Sequence, residues 1–347
     1  PPRSTLFPYT TLFRSMLYFA RSEMLRDIYP TYFITTRYVS DAIYGNYYND
    51  KTIPLLRKLY TYNSNIQSHS VGHFLDFNVI ELGSPGNTKE TYSPHYIETN
   101  ESAGATVYGE LEVSKNLLET DIGTNVIAFR AGHLLVNKYL FNVLDDLGYL
   151  YDSSQSANDV LTNFPYFTQY NNSVGCVLTK VIELPMTISD VYGTIEYSEE
   201  NVNSIISNWL DVVNKNAANY APTVLLIHPT LIEKLAMQEK FLDQLPTDIE
   251  VTDLASYGDF WRNRYSFSFE TELTDNTLHI IIDPSIEQLD ERISLTINNG
   301  VQLSGIKVTY RDQPVTQFEQ NVWEDQDVIL SNIQLPSITF VDDAFLY

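Results

Sequence analysis

The chain has 347 residues, with 21 Lys and Arg against 44 Asp and Glu, a formal net charge of −23 and 44% hydrophobic residues. That apolar content excludes a disordered chain, and the acidity opposes a nucleic-acid partner, whose phosphates need matching cations. The length suits two ordinary domains, and no run of about 18 uncharged apolar residues occurs, so no membrane span is expected. A single cysteine, Cys176, can form neither an internal disulfide nor a thiolate zinc cage, so a metal would have to use His and carboxylate. The 25 Tyr, 17 Phe and 3 Trp provide aromatic faces with polar edges, which suit amphipathic ligands such as sugars.

Pro1 to Ser15 reads PPRSTLFPYTTLFRS, nearly repeats itself and carries no acid. It resembles a translated sequencing adapter fused to an open reading frame and is set aside from the fold reading. From Pro30 onward, short β-branched or aromatic runs alternate with longer helical patterns, the signature of an α/β domain. Thr31 to Thr36 predicts a buried strand, Asp50 to Tyr60 a helix and Asn65 to Ser68 a strand running into a histidine-rich turn. Gly83 to Gly109 lacks apolar periodicity and predicts a long surface loop. Glu110 to Ile122 then reads as helix, Asn125 to Phe129 as strand, Leu134 to Leu147 as a helix stopped by Gly148, and Tyr149 to Asp152 as strand. Val177 to Leu184 is strand-like, Glu199 to Ala218 an amphipathic helix, and Thr223 to Ile227 a wholly apolar strand that delivers His228. Leu231 to Leu245 predicts a helix, followed by Glu250 to Thr252 and a last helix through Trp261, read as core, and Arg264. After Tyr265 the text turns to period-2 segments, SFSFETEL, LHIIID, ISLTINNG, IKVTYRD, NVWEDQDVILSNI and SITFV, which predict a small all-β, sandwich-like module over 265–347.

The sharpest local feature is Ser68-His69-Ser70-Val71-Gly72-His73. Two histidines four apart on a helical turn point to one side and suit a single Zn²⁺ with positions left for carboxylate, water and substrate. The spacing alone equally fits polar surface or a satisfied buried pair. Phe129-Arg130-Ala131-Gly132 and Leu225-Leu226-Ile227-His228 bring an arginine and another histidine to strand ends, where ligand chemistry gathers in α/β folds.

With these residues in this order, the chain from about Leu17 to Arg264 resembles the polysaccharide deacetylases of carbohydrate esterase family 4, the NodB-type domain, with a distorted (β/α) barrel. His69-Ser70-Val71-Gly72-His73 matches the family's H-[ST]-x-x-H motif in full, and the resemblance makes His69 and His73 metal ligands. Leu225 to His228 matches L-x-x-H, which makes His228 the general acid. The arginine motif R-x-P-Y survives only loosely as Arg130-Ala131-Gly132-His133, with Arg130 in the position that orients a catalytic base. Ser114 to Glu119, Gly148 to Ser154 and Glu183 to Thr187 are also similar to the family. The implied cofactor is Zn²⁺ or another divalent metal, the implied reaction hydrolysis of N-acetyl groups on a polysaccharide or oligosaccharide, and the implied location extracytoplasmic.

The departure is at the front. The family's first strand ends in an Asp-Asp pair, base and third ligand, but no Asp or Glu occurs between Pro1 and Arg21, so a domain lacking its first strand is expected. Asp145-Asp146 reads as a solvated helix face, and Asp342-Asp343 as a terminal strand and turn. In the long loop, His95 and Tyr96, with Tyr92 and Tyr108, are candidates for sugar contact; His133 is a rim residue with a weaker claim to substrate, and His279 reads as structural. A catalytic deacetylase is the first reading. A non-catalytic glycan-binding protein on the same scaffold, and a surface protein whose β module matters most, are the others; the oligomeric state is left open.

Overall fold

The structure is a computed structural model and describes residues 8–43, 45–98, 101–190, 199–229, 232–286, 293–297, 304–323 and 327–336. Two compact units divide it, Pro1–Gly258 and Asp259–Tyr347.

The first unit opens with helix α1 (Pro8–Met24), which runs through the limit drawn at Ser15. Phe13, Met16, Phe19 and Ala20 are buried along one stripe of it, a helical period of apolar residues, so part of the segment set aside above is folded into the core. Strand β1 (Thr31–Ile34) follows, then helix α2 (Ile53–Tyr60), strand β2 (Asn65–Ser68) and, inside the long loop, a small hairpin of β3 (His95–Tyr96) and β4 (Ser102–Ala103). Helix α3 (Val107–Ile122) starts earlier than the apolar pattern suggests because the Thr106 side chain accepts from the Gly109 amide, and it stops at Gly123, whose φ of +82° favours glycine.

Strand β5 (Ala128–Phe129) leads to a single 3₁₀ turn and then helix α4 (Leu140–Asp146). The helix predicted over Leu134 to Leu147 is thus shortened: His133 and Leu134 have φ of +54° and +56°, which no α-helix contains, and Asn137 restarts the chain by accepting from the Tyr139 amide. Next come β6 (Tyr151–Asp152), the one-turn α5 (Ala157–Val160), β7 (Tyr166–Gln169), β8 (Leu178–Glu183) and β9 (Ile188–Ser189). Helix α6 (Glu199–Ala218) buries Val202, Ile206, Trp209 and Val213 at helical spacing; strand β10 (Leu225–Leu226), helix α7 (Ile232–Leu242) and helix α8 (Leu254–Ser266) complete the series. Glu250 to Thr252 forms no strand.

The main sheet has the order β1-β2-β5-β6-β8-β7, parallel up to β8 with β7 antiparallel at the edge; β9 and β10 pair in parallel apart from it. Strand β10 is only partly buried, shorter than the apolar run TVLLI predicts, because its pairing is confined to two residues of β9. Helices α2, α3 and α4 bury Leu56, Leu59, Leu111, Leu118, Phe141 and Leu144 in one core with the sheet.

In the second unit, β11 (Phe269–Thr274), β12 (Thr277–Ile282), β13 (Leu295–Ile297), β14 (Gly305–Tyr310), β15 (Gln313–Pro314), β16 (Gln317–Trp323) and β17 (Asp327–Gln334) form two sheets, β11-β12-β14-β15 and β13-β17-β16. Ile280, Ile282, Val308 and Tyr310 of one share a core with Leu295, Val328 and Leu330 of the other. The stretch NVWEDQDVILSNI, read above as one segment, holds two strands. The division after Gly258 falls earlier than Tyr265 because α8 straddles the change of pattern: Leu254 and Ala255 belong to the first core. SITFV and Asp342-Asp343 lie outside the described residues.

Candidate active site

The carboxyl ends of the parallel strands carry the polar residues that sequence reading singles out. After β2, the His69 amide still donates to the Ile34 carbonyl at 3.0 Å, so this histidine leaves the sheet at a fixed height. The chain then turns without forming a helix: Ser70 and His73 have φ of +67° and +55°, and Ser70 Oγ accepts from the His73 amide at 3.0 Å. The two imidazoles nevertheless meet, centroids 4.8 Å apart at 70°, so a tight turn brings together what a helical turn was expected to align. Glycine is required at 72, because a Cβ there would lie 1.9 Å from the Phe74 ring.

Behind this turn sits Glu110, a fully buried carboxylate on α3. It accepts from the Gly72 amide at 2.7 Å and from the Tyr92 hydroxyl at 2.8 Å. Burial pushes its pKa up to about 7, against the opposing pull of the hydrogen bonds from Gly72, Tyr92 and Ser70. Its presence on the apolar stripe of a helix is the sequence signal that could have marked it.

At the end of β5, the Arg130 carbonyl lies 2.6 Å from His69 Nδ1. A carbonyl can only accept, so Nδ1 carries the proton and Nε2 keeps its lone pair. Loss of solvent, then the charges of His73 and Arg130, hold His69 well below the ordinary imidazole pKa despite that hydrogen bond. His73 is lowered to about 4, by burial first and then by His133. Both rings are therefore neutral at neutral pH, the form in which imidazole ligates.

The Arg130 side chain is held by Ser153. Nε donates to the Ser153 carbonyl at 2.9 Å, Nη2 to Ser153 Oγ at 2.7 Å, and the guanidinium lies over the Phe33 ring at 4.7 Å. Its charge faces Asp152 and Glu183, fully buried at paired positions of β6 and β8. Burial and the charge of Asp152 push the Glu183 pKa well up, and burial raises that of Asp152 as well.

His228 follows β10 and is tied to Asp190, which follows β9. The Asp190 carboxylate accepts from the His228 amide at 2.9 Å, from His228 Nδ1 at 2.6 Å and from Lys234 Nζ at 2.6 Å. Burial alone would raise the pKa of Asp190; the hydrogen bonds from His228 and Lys234 outweigh it and hold the group ionised. Nδ1 of His228 is thus committed to Asp190, and its ring is half-exposed. His228 lies within electrostatic reach of His69, His73 and His133. Sequence reading passed over Asp190 and Lys234; a lone Asp after a two-residue strand and a Lys on α7 leave no pattern. Helix α1 reaches the same loop, where Ser15 Oγ donates to the Pro229 carbonyl.

The loop candidates divide. His133 is exposed and packs edge-on against His73, centroids 4.3 Å apart. Tyr96 is buried against Phe74 and Arg37, and its hydroxyl donates to the His73 carbonyl at 2.7 Å, so it braces the turn and has no free face for a sugar. Tyr92 is likewise buried, and the Tyr108 hydroxyl donates to Asp146. His95 is exposed on β3, with its ring nearest the Ser93 carbonyl at 3.5 Å. Asp145 accepts from the Tyr170 hydroxyl and the Lys180 amide rather than standing solvated. His279 pairs with Glu272 and Lys307 across its sheet.

For a divalent metal, His69 fits in tautomer and charge and His73 in charge, and the two supply two donors. Among the described residues no three His, Cys, Asp or Glu side chains already converge to hold one.

Histidines and an arginine thus lie at the carboxyl ends of the main parallel sheet, and the Asp190–His228 pair at those of the separate β9–β10 pair. The chain matches no protein-family profile and no curated protein in sequence. In structure it resembles a Mycobacterium smegmatis protein provisionally assigned as a polysaccharide deacetylase, at 17% identity and a TM-score of 0.51, over 75% of this chain and 79% of that one. The Xyl-CE4 domain of a multidomain xylanase from the hindgut metagenome of Trinervitermes trinervoides aligns at 13% identity over 75% and 85% of the two chains, with a TM-score of 0.37 that carries no weight for the fold. The first likeness is one of fold: the chain shares the fold of a polysaccharide-deacetylase-type structure.

Proposed function

We propose that the protein is a metal-dependent deacetylase acting on N-acetyl groups of a polysaccharide or oligosaccharide. The observation that carries this is the His228–Asp190 pair, held at 2.6 Å beside His69 and His73 on a deacetylase-type sheet. In this reading the main sheet and the β9–β10 pair are parts of the distorted barrel within 16–264, 265–347 is a β accessory module, and the protein works outside the cytoplasm.

His69 Nε2 and His73 would hold the metal, Zn²⁺ by donor type; a bound Zn²⁺ polarises an acyl carbonyl and acidifies a water. Asp190 fixes the tautomer of His228 and stabilises its imidazolium, so that Nε2–H faces the departing amine and hands over its proton as the C–N bond breaks. Arg130, clamped by Ser153, stands where the resemblance places the residue that orients a catalytic base. Removal of the water's proton has no assigned residue, because the carboxylates that Arg130 faces are buried.

That gap favours a second reading, a glycan-binding protein on the same scaffold. Acetate release from N-acetylglucosamine oligomers, with Zn²⁺ supplied, separates the two. Release that His228→Ala abolishes supports the deacetylase; oligomer binding with no release would replace it by the binding protein.

A further inference from the structure

We infer that Glu110 is the positioning residue of the histidine turn: it sets where the His73 ring stands against His69 by binding the three residues between them. Its bearing on deacetylation rests on the reading of those two histidines as the working pair. The Gly72 amide donates to Glu110 Oε2 at 2.7 Å. The Ser70 side chain and the Val71 amide bond to the same carboxyl group. One side chain of α3 thus holds Ser70, Val71 and Gly72, every residue that separates the two imidazoles in the chain. Successive amides turned toward one acceptor form a backbone nest, and here the acceptor belongs to the chain itself.

The turn needs such a hold. Ser70 and His73 adopt left-handed φ of +67° and +55°, which costs about 1 kcal/mol or more for each non-glycine residue and persists only where the surroundings impose it. The flanks are fixed by the Thr36 amide, which donates to the Ser70 carbonyl at 3.1 Å, and by the Tyr96 hydroxyl on the His73 carbonyl. Glu110 fixes the middle. It lies fully buried on the stripe of Val107, Leu111 and Ser114, where an apolar side chain would fill the core without the cost of burying a carboxyl group. What it binds therefore explains its presence. Tyr92 keeps it in place, with the hydroxyl on Oε1 at 2.8 Å and the ring against Gly109.

The two rings respond differently to the turn. His69 is anchored from outside it, by its amide on the Ile34 carbonyl and by Nδ1 on the Arg130 carbonyl. His73 hangs on the turn itself, its amide donating to Ser70 Oγ at 3.0 Å. A change over 70–72 therefore moves His73 against a fixed His69, and their 4.8 Å centroid spacing is what Glu110 controls. Reach matters here more than charge. A carboxamide of the same length can keep its oxygen on Gly72 and donate its amino group to the Tyr92 oxygen, whereas aspartate falls one methylene short.

The test compares Glu110→Gln and Glu110→Asp in the full chain labelled with ¹⁵N-histidine, the ring signals of the six histidines assigned by single substitution. Acetate release from N-acetylglucosamine oligomers, with Zn²⁺ supplied, is measured beside it. Glu110→Asp is expected to shift the His73 ring signals, leave those of His95 and His279 in place, and lower kcat about 100-fold with KM little changed. Glu110→Gln should keep the His73 signals and most of kcat. Tyr92→Phe removes only the hydroxyl on Oε1 and stands in for Glu110→Asp should circular dichroism show the latter unfolded; it is expected to move the His73 signals in the same way. Wild-type His73 signals in the shortened or Tyr92 variant would overturn the inference, as would shifts that extend to His95 and His279, the mark of a general disturbance. Equal losses in Glu110→Gln and Glu110→Asp would also overturn it, since charge and not reach would then matter. Should the wild type release no acetate, the deacetylase reading fails while the ring signals still decide the role of Glu110.

Discussion

Asp190 holds the site together through one carboxylate that accepts from both His228 and Lys234, so its replacement should be felt twice. Asp190→Asn leaves the fold but releases the tautomer of His228, and kcat for acetate release should fall about 100-fold or more. The altered contact with buried Lys234 adds a destabilisation of about 1–3 kcal/mol, read from urea unfolding. His228→Ala combined with Asp190→Asn should lose no more activity than either alone, because the two act as a unit. Additive losses would separate them. Glu110 offers a test by pH. Its folded pKa of about 7 lies above the ordinary 4.5, so between those values the folded state binds more protons than the unfolded one. Stability from this group is therefore present in full below pH about 4.5 and lost as the pH rises to 7, a change of about 3 kcal/mol. Glu23, Asp152 and Glu183 are shifted upward too, so the wild-type slope is shared. The discriminating quantity is the difference: urea midpoints of Glu110→Gln measured at about pH 5 and pH 8 should change less than those of the wild type. Equal slopes would clear Glu110.

At the scale of elements, α3 does more than cover the sheet. Tyr92 packs on Gly109, and its hydroxyl reaches Glu110, which in turn holds the Gly72 amide between the two histidines. Gly to Ala in a helix ordinarily gains about 1 kcal/mol. A Cβ on Gly109 would lie 2.0 Å from the Tyr92 ring, and that ring is buried and hydrogen-bonded, so the sign reverses. Gly109→Ala should cost about 1–3 kcal/mol by urea unfolding. A midpoint at or above wild type would mean that Tyr92 moves freely. The same region marks how far elements are legible. Helix α6 follows from the spacing of Val202, Ile206, Trp209 and Val213, and β2 from its local run, because in both the pattern and the burial coincide. The turn at Gly132–Leu134 is not legible, since nothing in HLLVNK says that its first two residues, neither of them glycine, take left-handed backbone. Strand β7 escapes notice because a short edge strand takes its conformation from pairing with β8 rather than from its own sequence.

Among the described residues no apolar cluster crosses the division of the chain: one lies entirely within 259–347, and the other three within 1–258. Leu330, fully buried between β13 and β16 on β17, should therefore act locally. Leu330→Ala is expected to cost about 2–5 kcal/mol and to lower one of two calorimetric transitions while leaving the other unchanged. Equal shifts of both transitions would show a single cooperative unit. No helix among the described residues is long and apolar enough to cross a membrane.

By itself the sequence determined the alternation of strands and helices, the change to period-2 text near the second unit, and the H-S-x-x-H and L-x-x-H motifs with His69, His73 and His228. These are legible because periodicity and spacing are local properties of a chain. Only the tertiary structure decided that Arg130 faces Ser153, Asp152 and Glu183, that Asp190 and Lys234 share the load at His228, and that His133 rests on His73. Those contacts join residues far apart in sequence on separate strand ends, and their placement is set by which strands lie side by side.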